Sequence, residues 1–349
     1  MVGEDSMGLG IGETLRYQYS NLPITLTAAD CAGKTYIITG SNSGLGYECT
    51  KHLLRLGAGR VIMAVRSLDR GDAALKAIEA DTGKKGVAQV WQLDLGSYES
   101  VTKFADRVER DLDRVDGVVQ NAAGANGQWI VQEGWESSIV TNVISTLFLT
   151  VLLIPHLGRC GKKYGTTPVI SIVTSGLGFS RKADLTKITR SAGVLADVND
   201  SSKWSMDGVD RYSLSKMLQI FATRRLTELA PVSRTGVIIN YLNPGLANTG
   251  LDRYAATGSK IAIGILRTMM GRTAEWGSRN LLHGLSVGKE SHGKFLSYCV
   301  VNDKWVPDWM KNEEGRKWEL AIWNEVADEI ERIRPGCVNK ATGTGTITQ

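Results

Sequence analysis

Two five-residue stretches of the sequence place a tyrosine and a lysine four positions apart. They are Tyr47 with Lys51 in YECTK, and Tyr212 with Lys216 in YSLSK. On a helix such a pair projects from one face, and an ammonium group beside a phenol stabilises the phenolate that proton transfer requires. The same spacing also occurs on solvated helix faces, so the elements that carry each pair must decide between them.

Composition restricts the class of protein. The chain has 349 residues, of which 42% are hydrophobic and 22% charged, as in a soluble globular protein. Its net charge of +5 is mild and the basic residues are dispersed, which argues against nucleic acid as the ligand and is compatible with an anionic small molecule. The five cysteines show neither a metal-ligand spacing nor a secreted disulfide pattern, so we expect a reducing, cytoplasmic compartment and no bound metal.

Membrane insertion is not expected. Residues 1–30 contain no sustained apolar run of the kind that a signal peptide has. The most apolar stretch, at 143–157, is too short to span a bilayer and ends in a segment with proline and histidine. We interpret it as a buried or interface helix. Together with the segment at 211–230, the apolar helix predicted at 133–157 suggests self-association into a homo-oligomer.

Short runs rich in valine and isoleucine alternate with helical segments from about residue 33. The seven runs are KTYIIT, GRVIMAV, AQVWQLDL, VDGVVQNA, PVISIVTS, GVIINYLNP and KFLSYCVV. Such runs are typical of strands buried on both faces, and the helices between them require crossover connections. The order predicts an α/β fold of the Rossmann type: a doubly wound, mostly parallel, seven-stranded sheet with helices on both faces.

The alternation forms one continuous unit, so we predict a single domain. This domain spans residues 31–335 and includes all seven predicted strands. An N-terminal extension at 1–30 precedes it, and a C-terminal tail at 336–349 follows it.

Two long gaps interrupt the alternation, at about 177–210 and 246–272. Both follow the C-terminal ends of predicted strands, where open parallel sheets bind their ligands. We therefore interpret them as substrate-loop insertions. In the first gap, Leu195, Trp204 and Met206 predict either an apolar substrate pocket or a flap that covers the sheet.

A glycine-rich turn, TGSNSGLG at 39–46, follows the first predicted strand and opens the first predicted helix. Gly40 permits a tight turn, Gly44 permits close approach of a pyrophosphate, and Gly46 permits close packing of the helix on the strand. The helix N-terminus presents unpaired N–H groups to phosphates. In this context the turn predicts dinucleotide binding, and a purely structural turn is the alternative.

The ends of the second and third strands bear on the choice of cofactor. A carboxylate about 20 residues beyond the glycines would bind the ribose of NAD, but Val65 occupies that place and Arg66 follows it. A guanidinium suits a 2′-phosphate, so the sequence favours NADP over NAD, with a surface arginine as the alternative. Asp94 ends the third strand and is either a hydrogen-bond acceptor for adenine or a strand-end cap.

Taken in order, these motifs resemble those of the short-chain dehydrogenases/reductases, from about residue 33 to 302. The motifs that carry the resemblance are TGSNSGLG, Asp94-Leu95, QNAAG at 120–124, Asn142 in VTNV, Ser175 in IVTSG, YSLSK at 212–216, and NPG followed by Thr249. One motif departs from the family, since Ala123 stands where the family has glycine and adds a methyl group near the cofactor.

The resemblance implies two sets of site residues. The catalytic set is Asn142, Ser175, Tyr212 and Lys216. The cofactor-binding set is Gly40, Ser41, Asn42, Ser43, Gly44, Leu45, Gly46, Arg66, Asp94, Leu95, Asn121, Ala122, Ala123, Tyr212, Lys216, Pro244, Gly245 and Thr249.

The resemblance also implies an activity, that of an NADP(H)-dependent ketoreductase acting on an apolar carbonyl compound. Tyr212 would be the proton donor, with Lys216 stabilising its phenolate, Ser175 binding the substrate oxygen, and Asn142 holding a water beside Lys216. NADP-linked oxidation of an alcohol is an alternative, and so is a cofactor-binding protein repurposed for a non-redox reaction. Within the family, the chain resembles the retinol-dehydrogenase and protochlorophyllide-reductase-like branch and fungal enzymes of secondary metabolism.

The surrounding elements distinguish the two tyrosine–lysine pairs. Tyr47 and Lys51 lie on the helix whose N-terminus faces the predicted phosphate site, and they are expected to point away from it. Tyr212 begins the helix after the fifth strand, beyond Ser175 and a long gap. The second pair is therefore the predicted catalytic pair.

Overall fold

The fold is built on an eight-stranded sheet. The computed structural model describes residues 16–205, 207–246 and 271–343. The strands are β1 Thr35–Thr39, β2 Arg60–Val65, β3 Ala88–Gln92, β4 Gly117–Gln120, β5 Val169–Val173, β6 Ile238–Asn243, β7 Phe295–Ser297 and β8 Val300–Val301. Their spatial order is β8-β7-β6-β5-β4-β1-β2-β3, and every pair is parallel except β7 with β8. The order reverses between β1 and β4, which is where open α/β sheets bind ligands.

Helices cover both faces of the sheet. The main ones are α1 Gly44–Arg55, α2 Leu68–Thr82, α3 Tyr98–Asp111, α4 Ser145–Tyr164, α5 Gly208–Leu229, α6 Ala274–Ser286, α7 Glu313–Ile333 and α8 Cys337–Thr342. Shorter helices are Ala28–Cys31, Ser137–Ile139, Val194–Val198, Val232–Thr235 and Asp308–Lys311, and a π-helical turn, Val140–Ile144, leads into α4. One hydrophobic core contains α3, α4, α5 and α7, and a second core on the opposite face contains α1, α2 and α6. The predicted doubly wound α/β fold is confirmed.

The predicted number of strands was wrong by one. The run KFLSYCVV was taken as a single strand, but the chain reverses at Tyr298 and Cys299 to form β7 and antiparallel β8. Both residues have positive φ (54° and 57°), as the central residues of a tight two-residue hairpin turn require. Neither residue type favours this conformation, so the local sequence gives no turn signal. Tertiary contacts stabilise the turn instead, because the Tyr298 ring stacks on Tyr17 and Cys299 N–H donates to Asn280 Oδ1 at 2.9 Å.

The most apolar helix lies inside the protein. The continuous helical run Ser137–Tyr164 is long and apolar enough by composition to cross a membrane, but 89% of its most apolar window is buried in the fold. A core helix passes the same test of length and composition. We therefore describe it as a core helix, in agreement with the sequence interpretation.

The C-terminal helices cover the surfaces from which self-association was inferred. Helix α7 packs along α5 and buries Trp318, Ile322 and Trp323, while α8 packs on α4. An ion pair between Arg224 of α5 and Glu319 of α7, 3.1 Å long, adds a polar contact to this interface. Part of the apolar surface of both helices is therefore covered within the chain itself.

The segment after β5 folds into short helical turns that pack against α7. The Glu325 carboxylate of α7 accepts hydrogen bonds from Val194 N–H (2.6 Å) and Leu195 N–H (2.8 Å). The Leu195 side chain is buried, as is Trp204, whose indole N–H donates to the Asp197 carbonyl at 2.9 Å. Of the two sequence interpretations, this packing favours a covering flap for Leu195 and Trp204. Met206 lies outside the described residues.

Candidate active site

The glycine-rich turn has the shape that a dinucleotide requires. Gly40 (φ +66°) and Gly44 (φ +60°) adopt the left-handed conformation that favours glycine. A Cβ on Gly46 would lie 2.7 Å from Asn121 Nδ2, so no side chain fits there. The hydroxyl of Ser41 is buried in the turn and has no partner among the described residues, which suits a ligand in the turn. These features fit a bound dinucleotide whose phosphates face the N-terminus of α1.

The rest of the turn lies where a ligand can reach it. Ser43 is the exposed N-cap of α1, and no side-chain hydrogen bond caps the helix there. Asn42 is half-buried beside it, whereas Leu45 packs into the core below α1.

The residues after β4 brace this turn from beneath. Asn121 Nδ2 donates to the Thr39 carbonyl at 2.9 Å, and Ala122 N–H donates to Thr39 Oγ1 at 2.9 Å. Asn121 therefore holds the backbone of the turn. Ala123 does not have positive φ, so the methyl group that departs from the family pattern imposes no backbone strain.

The two candidate adenosine contacts follow the ends of the neighbouring strands β2 and β3. Gly40 N–H donates to the Ala64 carbonyl at 2.8 Å, which joins the turn to the end of β2. Arg66 follows that strand and is exposed. The Asp94 carboxylate accepts a hydrogen bond from Gly96 N–H at 2.9 Å, so it caps the strand end, and Leu95 packs in the core behind it.

Tyr212 and Lys216 occupy one face of α5, next to the end of β5. Their side chains are almost entirely buried, with 9% of Tyr212 and 1% of Lys216 exposed. Lys216 Nζ lies 5.6 Å from the centre of the Tyr212 ring. It donates to the Val173 carbonyl at 2.7 Å and to Gln219 Oε1 at 3.1 Å.

Burial disfavours the charged form of Lys216. Both hydrogen-bond acceptors are neutral oxygens, and burial lowers the pKa of the lysine from 10.5 to about 7. The ammonium is thus an unusually acidic group beside the tyrosine. Shifts of this kind are typical of groups that take part in proton chemistry.

Ser175 lies at the carboxyl end of β5 with its proton available. Its Oγ accepts a hydrogen bond from Leu177 N–H at 3.2 Å, which uses a lone pair and leaves the hydroxyl hydrogen to be donated. Ser175 is half-buried, whereas the neighbouring Thr174 is fully buried with no partner for its hydroxyl among the described residues. Of the two hydroxyls, that of Ser175 is the accessible one.

Asn142 lies in the π-helical turn, and its side chain is hydrogen-bonded to the loop after β4 and to α5. Its amide exchanges two hydrogen bonds with the backbone of Gly124, both 2.8 Å long, and donates to Ser215 Oγ at 2.9 Å. Its main-chain carbonyl accepts a hydrogen bond from Gln219 Nε2 at 2.6 Å. Gln219 therefore connects Asn142 to Lys216, and its position three residues after Lys216 was the sequence signal that we overlooked.

The loop after β6 is supported by the N-terminal segment. Gly245 has φ +77°, and Pro244 O accepts a hydrogen bond from Asn280 Nδ2 at 3.1 Å. Gln18 Nε2 donates to Leu246 O at 2.9 Å, so residues before the predicted domain contact this loop. Nothing in the local sequence around Gln18 indicated this contact. Thr249 lies outside the described residues.

The first tyrosine–lysine pair has a different environment. Lys51 Nζ lies 3.0 Å from Glu48 Oε2 and 2.9 Å from Asp81 Oδ2, so two carboxylates bind it at the junction of α1 and α2. Its charge is neutralised there. This pair is a structural feature of the helix surface.

Comparison with known proteins identifies the family to which the chain belongs. The sequence profile described as "short chain dehydrogenase" matches residues 34–186. The short chain dehydrogenase/reductase dmxR8 of Cryptosporiopsis sp. (strain 8999) is 38% identical over 306 residues, which cover 87% of this chain and 93% of that protein. The chain belongs to the short-chain dehydrogenase/reductase family. As a member of this family it is an oxidoreductase that binds a nicotinamide cofactor.

Solved structures share the fold at low sequence identity. An NADH-dependent reductase complexed with NAD has a TM-score of 0.56 and 19% identity, covering 80% of this chain and 99% of that one. An NADPH-bound short chain oxidoreductase from Pseudomonas aeruginosa PAO1 has a TM-score of 0.56 and 18% identity, covering 78% and 95%. Since these two proteins bind different cofactors, the shared fold does not select between NAD and NADP.

Proposed function

We propose that this short-chain dehydrogenase/reductase is an NADP(H)-dependent ketoreductase that acts on an apolar carbonyl compound. The observation that carries the proposal is the buried pair of Tyr212 and Lys216, in which Lys216 Nζ donates to the Val173 carbonyl at the end of β5, two residues before Ser175. The resemblance to fungal enzymes further suggests a role in secondary metabolism. The five cysteines are all free and buried, which supports a reducing, cytoplasmic location.

The proposed roles follow from the groups that each side chain presents. Hydride transfer is the chemistry that a bound nicotinamide cofactor supplies. Ser175 donates its hydroxyl hydrogen to the substrate oxygen, and Tyr212 protonates that oxygen as negative charge develops on it. Lys216 stabilises the resulting phenolate because its ammonium lies beside the ring. In the direction of alcohol oxidation Tyr212 acts as the base.

We propose that Arg66 gives the enzyme its preference for NADP. Arg66 is exposed after β2, the strand whose Ala64 carbonyl bonds Gly40 of the glycine-rich turn, and a guanidinium binds a 2′-phosphate through two hydrogen bonds. The cofactor-binding set would hold the rest of the dinucleotide through the turn, the end of β3 and the loop that includes Pro244 and Gly245. Thr249 is assigned to this set from its sequence position alone.

The experiment is a cofactor titration followed by a substrate screen. Purified protein is titrated with NADPH and with NADH, and apolar ketones and alcohols are then tested by the absorbance of the reduced cofactor. We expect tighter binding of NADPH and turnover of a ketone. Equal affinity for NADH would contradict the cofactor assignment. Cofactor binding without turnover of any ketone or alcohol would favour a protein repurposed for a non-redox reaction.

A further inference from the structure

The strongest unassigned feature of the site is Gln219, a buried glutamine between Lys216 and the π-helical turn. The side chain is 1% exposed and lies one turn after Lys216 on the same face of α5. Its Nε2 donates to Asn142 O at 2.6 Å, and its Oε1 accepts from Lys216 Nζ at 3.1 Å. One amide therefore connects the lysine to a main-chain carbonyl of the neighbouring helix.

The orientation of this amide is determined by its partners. A main-chain carbonyl only accepts hydrogen bonds, and an ammonium only donates them. The NH₂ group of Gln219 must therefore face Asn142, and its oxygen must face Lys216. The reverse orientation would place two acceptors against each other and two donors against each other inside the core.

We propose that Gln219 is a positioning residue for Lys216, taking the place of the water that the family resemblance puts between Lys216 and Asn142. The proposal rests on the function assigned to Tyr212 and Lys216. The amide oxygen holds the ammonium on the side of β5 and keeps it hydrogen-bonded without solvent. Unlike water, an amide does not readily pass a proton on, because doing so would convert it into an imidic acid. Protons for Tyr212 are therefore not supplied through Asn142.

The groups around Lys216 make its charge sensitive to this single amide. Tyr212 is the titratable neighbour on α5, β5 contributes the neutral Val173 carbonyl, and the π-helical turn contributes the neutral Asn142. Burial disfavours the ammonium, so each acceptor dipole that remains has a large effect on its proton affinity.

The test is the pKa of Lys216 in the cofactor-free protein, measured by NMR titration of ¹³Cε-labelled lysine and assigned with Lys216→Met. In Gln219→Leu the ammonium faces an apolar group, so we expect its proton affinity to fall roughly tenfold or more, which is one pKa unit. In Gln219→Ala a water can enter the space beside Lys216 Nζ and the carbonyls of Val173 and Asn142. We therefore expect the proton affinity of Lys216 to stay within about threefold of wild type. Gln219→Met, which is unbranched, replaces Leu if that variant does not fold.

Thermal unfolding of the same variants separates positioning from packing. Both variants remove the donor to Asn142 O and change the packing, so we expect both to unfold at a lower temperature than wild type, although only Gln219→Leu lowers the lysine pKa substantially. The matched control is Gln120→Leu, since Gln120 is equally buried and its Nε2 bonds Thr146 O of α4 but does not contact Lys216. We expect this control to leave the pKa of Lys216 unchanged.

Three results would overturn the proposal: an unchanged pKa in Gln219→Leu, a pKa in Gln219→Ala that falls as far as in Gln219→Leu, or an equal shift in Gln120→Leu. None of these measurements needs a substrate. If wild type reduces no ketone but the expected pKa order is found, the ketoreductase assignment fails and the assignment of Gln219 stands. In an active enzyme, Gln219→Leu should also move the corresponding limb of the pH–rate profile to lower pH.

Discussion

Lys216 is buried in the fold, and its burial disfavours the charged ammonium form. Its folded-state pKa of about 7 lies below the value of 10.5 expected for the unfolded chain, so the unfolded state binds more protons between these two values. The free energy of unfolding must therefore rise with pH across this interval. The cost of the buried ammonium is fully present below pH 7 and declines toward pH 10.5. A residue that costs stability at neutral pH is expected where its charge serves chemistry.

Replacing this lysine should stabilise the fold in a pH-dependent way. We expect Lys216→Met to raise the free energy of unfolding by about 1–3 kcal/mol at pH 6, because the methionine carries no charge to desolvate. The difference from wild type should shrink between pH 7 and pH 10. Denaturant unfolding at several pH values measures it, and a difference that does not depend on pH would contradict the lowered pKa.

Arg66 should determine cofactor preference by itself. Removal of its guanidinium in Arg66→Ala should weaken NADPH binding roughly 10- to 100-fold, the value of charge-assisted hydrogen bonds, and leave NADH binding unchanged. Titration calorimetry with both cofactors measures this effect. Arg60→Ala is the matched control, because Arg60 is exposed at the opposite end of β2. A similar loss of NADPH affinity in the control would indicate a general effect of net charge.

At the level of secondary-structure elements, a buried ion pair fixes the position of the start of α5. Arg211, one residue before Tyr212, donates two hydrogen bonds to Glu136 Oε2, at 2.8 and 3.2 Å. The other carboxylate oxygen accepts from Ser138 N–H at 2.9 Å, at the beginning of the helical run that contains Asn142. The pair therefore joins the helical run that contains Asn142 to the helix that carries Tyr212 and Lys216.

Removing one partner of this ion pair should lower the free energy of unfolding more than removing both charges. We expect Arg211→Met to lower the free energy of unfolding by about 3–5 kcal/mol, because it leaves the Glu136 carboxylate buried without a partner. The double variant with Glu136→Gln should recover part of that loss, since the remaining amide is neutral. Denaturant unfolding of both variants measures the effect. A double variant less stable than Arg211→Met would show that the unpaired Glu136 carboxylate is not what destabilises the fold.

The elements also show what the sequence could and could not predict. The glycine-rich turn and the Tyr212–Lys216 spacing follow local rules, so they were predicted from residue types. The hairpin at Tyr298 and Cys299 depends on packing against Tyr17, which is distant in sequence. The bridge from Gln219 to Asn142 depends on the relative placement of two helices. Such contacts have no local signature.

At the scale of the whole molecule, the C-terminal helices decide which surfaces remain available. Helix α7 buries apolar residues against α5, and α8 covers part of α4. A chain that lacked these helices would expose a broad apolar surface, and such surfaces drive association. The homo-oligomer inferred from the apolar composition of α4 and α5 stays a prediction, and this covering by α7 and α8 leads us to expect a monomer instead.

We expect light scattering after size-exclusion chromatography to give a mass near 37.9 kDa for the full chain. A truncation that ends before Glu313 should associate or aggregate, because it uncovers α5. A dimeric mass for the full chain would contradict this account. A truncated chain that stays monomeric would show that α7 is not needed to cover the surface.

Tyr212 supplies the proton in the NADPH-dependent reduction that we propose. The most direct test compares NADPH oxidation by wild type and Tyr212→Phe with the ketone identified by the screen, while a separate titration measures NADPH binding. We predict that the variant loses about 10²–10⁴-fold in turnover, the value of acid–base catalysis, and binds NADPH as tightly as wild type. Retained turnover in Tyr212→Phe would contradict the account.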